Sequence, residues 1–183
     1  MGTHRDFEKI LARHCAPTIA GKKPASLVSL KKNKVDAEKW LYWYTRGMRK
    51  RGVYFYGLCD CEDRKLVLIY HEKLLRKILR KPNVRAYLFG CGYKETSFHA
   101  MLERLAQRVR ECGDFPHEIG LFLGYPLSDV LGFIRHGGKN YKLAGPWKVY
   151  AGEKKARRLF ERYRALSDAF DALIKEGKTI MCY

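Results

Sequence analysis

Cys15 and His117 are the side chains in this chain best suited to covalent or acid–base chemistry. A thiol close to cations loses its proton more readily and becomes a better nucleophile or metal ligand. His14 precedes Cys15, and Lys22 and Lys23 follow shortly after. An imidazole such as His117 changes charge near neutral pH and can serve as the general base for such a thiol. The alternative makes Cys15 a small apolar filler at a helix end and His117 a hydrogen-bonded structural residue.

His117 belongs to residues 115–126, FPHEIGLFLGYP, which set a histidine and a glutamate before an apolar run and close on Gly-Tyr-Pro. Glu118 has two readings: a proton-transfer group, or a carboxylate placed at the positive end of a helix that begins near Pro116. Cys91 is flanked by Gly90 and Gly92, as a turn or a close ligand approach would require. His14, Lys23, Cys91, Glu118 and Tyr125 are therefore the candidate ligand-binding residues, with Cys15 and His117 as candidate catalytic ones. Cys59 and Cys61 stand too close for a C-x-x-C motif, and no second pair completes a zinc site, so no metal site is assigned.

The charge is unusual. The chain of 183 residues has 37 basic and 19 acidic residues, a net charge of +18. Such an imbalance speaks to association rather than to fold. It points to nucleic acid, an anionic surface or an acidic protein as partner, against the plain alternative of a lysine-rich solvated surface. One basic patch comprises Arg46, Arg49, Lys50 and Arg51; a second comprises Arg76, Lys77, Arg80 and Lys81, both with aromatic residues nearby. Single-stranded nucleic acid binders combine cations and stacking rings in this way. No apolar run is long enough to span a bilayer, and no secretory leader is evident, so the expected location is the cytoplasm.

The elements that must position these residues follow from periodicity. Residues 5–14 form an amphipathic helix expected to stop before Pro17. A short strand is expected over 26–30, and a helix over 37–51 with Asp36 as its N-cap. Residues 53–59 and 65–70 make a hairpin with both faces covered. Helices follow over 71–80, 96–112 (with Cys112 as a core thiol) and from Pro126 to Gly137. A strand is expected at 147–150 and a long closing helix after it. The fold class is α+β, one domain over residues 1–183, with a small, mainly antiparallel sheet of about four strands packed with several helices.

Residues 14–27 (HCAPTIAGKKPASL), residues 115–132 and Gly145-Pro146-Trp147-Lys148-Val149-Tyr150, with the closing helix, resemble the DUF3793 family of uncharacterised proteins from anaerobic Firmicutes. In that family a cysteine often precedes the Trp-Lys-Val-Tyr element. Here residues 143–146 hold none, which speaks against a metal site built on it. The resemblance implies no reaction and no agreed cofactor. It does imply a setting near flavodoxin and ferrous-iron transport genes. The expected function is a binding or accessory protein with a pocket near Cys15 and His117, linked to iron or redox metabolism, with an acidic partner such as flavodoxin. The alternatives are a Cys–His enzyme and a nucleic-acid binder.

Overall fold

Strand β3 (Arg64–His71) is the axis of the fold in the computed structural model, which describes residues 4–32, 37–60, 62–94, 97–111 and 115–182. Leu66, Val67, Leu68, Ile69 and Tyr70 are all buried. Successive strand residues point to opposite faces, so a continuous buried run requires cover on both sides. Strands β1 (Ala25–Lys31) and β2 (Val53–Asp60) pair with β3 on either side, both antiparallel, in the order β1-β3-β2. A bulge between Gly57 and Cys59 interrupts the β2 ladder; Leu58 is fully buried there, and its carbonyl accepts Arg110 at 3.1 Å.

Leu66, Leu68 and Tyr70 face one core, closed by helices α3 (Glu72–Leu79), α4 (Pro82–Gly90), α5 (Phe98–Glu111) and the short α6 (Ile119–Phe122). Val67 and Ile69 face the other, closed by α1 (His4–Ile19), α2 (Ala37–Met48) and α8 (Glu153–Lys175). Each fully buried Leu, Ile or Phe contributes roughly 1.5–3 kcal/mol, so the two layers hold the sheet between them. Helix α7 (Leu127–His136) leads into a separate two-stranded ladder, β4 (Leu143–Ala144) with β5 (Lys148–Val149), which seats Trp147 and Val149 on α8 through Ala156 and Tyr163. The α+β class holds, with the strands divided into sheets of three and two. No described helix is long and apolar enough to cross a membrane.

Several boundaries differ from those the sequence suggests. Helix α1 runs through Pro17 to Ile19. Residues 15–19 are all buried, and that packing outweighs the local bias of a proline. Residues 82–90 form a helix with Pro82 in its first turn, where a missing N–H costs nothing. Pro126 is the N-cap of α7, one residue outside the helix. Asp36, Cys61 and Cys112 lie outside the described residues.

Buried Glu8 ties the chain ends together. Its Oε1 accepts the Tyr44 hydroxyl at 2.6 Å, the Thr179 hydroxyl at 2.5 Å and the Ile180 amide at 3.1 Å.

Candidate anion-binding cleft

The turn after α1 positions Lys23. The Pro17 carbonyl accepts both the Lys22 and Lys23 amides, at 2.8 and 2.9 Å, and Gly21 supplies the left-handed conformation, φ 66°, that folds the chain back. The next residue, Pro24, packs against Gly124: a Cβ built on Gly124 would lie 2.7 Å from the Pro24 ring, and its φ is 86°. Residues 14–27 and 115–126, distant in sequence, thus meet with no room for a side chain between them. Tyr125 follows, stacked on Trp147 at 4.7 Å with its hydroxyl donating to the Pro146 carbonyl at 3.0 Å.

Between these segments and α8 lies a cleft of about 830 Å³. His14, Lys23 and Tyr125 all line it, joined by Arg13, Arg157, Arg164, Phe160 and Tyr163. Glu161 is the one carboxylate residue among the described lining. The Lys23 Nζ sits 5.9 Å from the Tyr125 ring centroid and 6.0 Å from that of Tyr163. Ring faces attract a cation but do not neutralise it. Burial pushes both phenols up to about 12, so they stay protonated at neutral pH. Burial also brings Lys23 down to about 8, opposed by nearby Cys15; the amine remains mostly charged at pH 7. Burial and the Arg13 guanidinium hold His14 below its usual value, so it is a hydrogen-bonding group rather than a further charge.

A family model described as "Protein of unknown function (DUF3793)" matches residues 11–182. The chain belongs to the DUF3793 family. No curated protein and no solved structure matches it. In this DUF3793 protein the residues that line the cleft all lie within the matched span.

Cys15 lies beneath the cleft rather than in it. It is fully buried against the α1–α2–α8 core, and burial pushes its thiol up to about 12 although the Lys23 charge pulls the other way. Desolvation wins, so the thiolate is scarce at neutral pH. His117 is exposed and lines a neighbouring apolar hollow of about 350 Å³, its ring against Phe133 at 5.5 Å. The two hollows share Tyr125, Ala144 and Gly145, but Cys15 lines neither.

Glu118 and Cys91 form a third locale. Glu118 is the N-cap residue of α6, but its side chain makes no capping hydrogen bond; its buried carboxylate accepts Arg108 Nε at 2.9 Å and the Tyr93 hydroxyl at 3.3 Å. Glu118 thus stands at a helix start while its side chain forms an ion pair that fastens the 115–126 segment to α5. Burial, reinforced by the Glu118 charge, pushes the Cys91 thiol up. The basic residues also separate: those at 46–51 lie at the end of α2 and just after it on one side of the sheet, and those at 76–81 at the end of α3 and just after it on the other.

Three contributors escaped the sequence reading. Arg157 and Arg164 belong to the basic face of α8, which looks merely solvated. Their spacing with Phe160 and Glu161 (i, i+3, i+4, i+7) was the available signal for a shared, partnered stripe. Asp129 is nearly fully buried in α7 and accepts Trp147 Nε1 at 2.8 Å and the amides of Tyr150 and Ala151 at 2.9 and 3.0 Å. It holds the ladder that forms one wall of the cleft.

Proposed function

We propose that this protein binds a small organic anion, with a phosphate or carboxylate group against Lys23 and a flat or apolar body against Tyr125, Tyr163 and Phe160. One observation carries the reading. The Lys23 ammonium faces a cleft in which its nearest titratable neighbours, two phenols and the Cys15 thiol, are all held neutral. Among the described residues it has no ion-pair partner, and neither have Arg13 and Arg164. A half-buried cation without a counter-charge is costly, and an anionic ligand offsets that cost. The cleft volume falls within the roughly 300–1,000 Å³ of small-molecule sites. The net charge of +18 adds long-range steering of anions. An acidic redox protein such as flavodoxin is the macromolecular form of this reading, but the enclosed position of Lys23 favours a small ligand. Cys15 lies in the core beneath the site and does not line it.

The test is a thermal-shift and calorimetric panel of inorganic phosphate, sulfate, dicarboxylates and mononucleotides. At least one should raise Tm in the wild type, and Lys23→Met should weaken that ligand by at least about tenfold, a loss of roughly 1.4 kcal/mol. An unresponsive panel, or a ligand indifferent to Lys23→Met, would sink the proposal.

A further inference from the structure

A second cationic feature lies across the sheet from α1 and α8, at the junction of α3, α4 and the start of α5. Arg76, Arg80, Arg85 and Lys94 converge there on a hollow of about 150 Å³, and no carboxylate is among its lining residues. The hollow is well below the roughly 300–1,000 Å³ of a metabolite pocket, so it suits one group of a larger molecule rather than a whole small ligand. Phe89 lines the same hollow and is 63% exposed, the largest exposure of any phenylalanine among the described residues. Arg76 is held in place: its guanidinium lies 4.2 Å from the Phe98 ring centroid and pairs with Glu72 at 2.6 Å. Arg80, Arg85 and Lys94 make no ion pair among the described residues. A neighbouring hollow of about 510 Å³ shares Tyr93, Lys94 and Met101 and adds Arg104, which extends the cationic path along α5. The Arg104 Nη1 donates to Gln107 at 2.9 Å and lies 3.8 Å from the Glu111 carboxylate, while the Arg104 Nε is buried without a hydrogen-bond partner.

We propose that this face binds single-stranded nucleic acid, with Arg80, Arg85, Lys94 and Arg104 tracking successive phosphates and Phe89 stacking on an unpaired base. Consecutive cations beside an exposed ring are the requirement for that mode, since the ring needs a free base face and the cations need a repeating anion. A duplex offers the phosphates but hides the base faces. An anionic bilayer would call for a broad apolar stripe, and here the exposed apolar residue lining the hollow is Phe89. An acidic protein would match the charge but gives no reason for the ring.

The experiment is fluorescence anisotropy on the full chain with a labelled 15-nucleotide oligothymidine at about 50 mM salt, where phosphate contacts dominate affinity. Four variants that keep the wild-type circular dichroism and Tm are compared. Arg80→Gln/Arg85→Gln should weaken binding and reduce the slope of log affinity against log salt by about 1.4, two phosphates at about 0.7 each. Phe89→Ala should weaken binding about tenfold with an unchanged slope. Phe89→Tyr should retain wild-type affinity. Lys23→Met, in the separate cleft, should change nothing, so this result is independent of the small-ligand reading. Absence of binding at that salt overturns the proposal. So does equal affinity for a duplex, for polyglutamate or for anionic vesicles, and so does indifference to Phe89→Ala.

Discussion

The carboxylate of Asp129 accepts the indole N–H of Trp147 at 2.8 Å, joining α7 to the hairpin that walls the cleft. The same carboxylate takes the amides of Tyr150 and Ala151, so one buried group organises the whole 147–151 segment. Asp129→Ala leaves three donors unpaired and should cost about 3 kcal/mol in urea unfolding. Trp147→Phe removes one of those donors in advance. In a double-mutant cycle the pair should therefore show a coupling of about 1 kcal/mol or more. Simple additivity would show that the contact does not carry the segment.

Lys23 should make anion binding pH-dependent. Its amine titrates near 8 in the folded protein, so it is charged at pH 7 and mostly neutral at pH 9. Sulfate, whose own charge is constant over that range, should bind about tenfold more weakly at pH 9 than at pH 7, as the competent fraction falls. Lys23→Met should show weak binding with a flat profile, measured by calorimetry at both pH values.

Cys15 should be inert. A thiol-labelling reagent applied to native protein at pH 8, with sites mapped by mass spectrometry, should modify the partly exposed Cys59 or Cys91 well before Cys15. Cys15 labelling should track global unfolding in urea. The pH dependence follows the same cause. The folded thiol titrates near 12 and the unfolded one near 9.0. The unfolded chain therefore gives up its proton first, so this stability contribution is intact below pH 9 and is lost progressively as pH rises toward 12. Cys15→Ala should flatten that part of the profile.

Glu8 should govern the chain's C-terminal segment. Glu8→Ala takes the acceptor from the Thr179 hydroxyl and the Ile180 amide and leaves the Tyr44 hydroxyl only His4 Nε2, at 2.9 Å, for a cost of about 2–3 kcal/mol. Glu8→Gln should cost less, because its carbonyl oxygen can still accept. Hydrogen exchange should show residues 179–182 losing protection in the alanine variant and largely retaining it in the glutamine variant.

Much of the fold is legible from local pattern. The near-continuous apolar run at 65–70 announces a hairpin strand covered on both faces, and the stripe from Ala156 to Ile174 announces the closing helix. The candidate site is legible in part. His14, Lys23 and Tyr125 stand out by their neighbours, and the cleft does contain all three. Glu118 does stand at a helix start, as a carboxylate before an apolar run suggests, yet its side-chain partners, Arg108 and Tyr93, come from segments that periodicity cannot bring together. Asp129 is invisible for the same reason, since nothing in α7 indicates that Trp147 will fold back onto it.

By itself, then, the sequence determined most of the elements, the hairpin covered on both faces, the excess of positive charge and the family resemblance. Each of these depends on short-range spacing or on totals. Only the tertiary structure decided that Cys15 faces the core while Lys23 faces the cleft, that His117 lines a different hollow, and that the basic residues divide between two sides of a sheet. Those outcomes depend on the direction in which side chains leave packed elements and on how much water each retains. Desolvation and long-range contact set both, and neither is encoded in the spacing of neighbours along the chain.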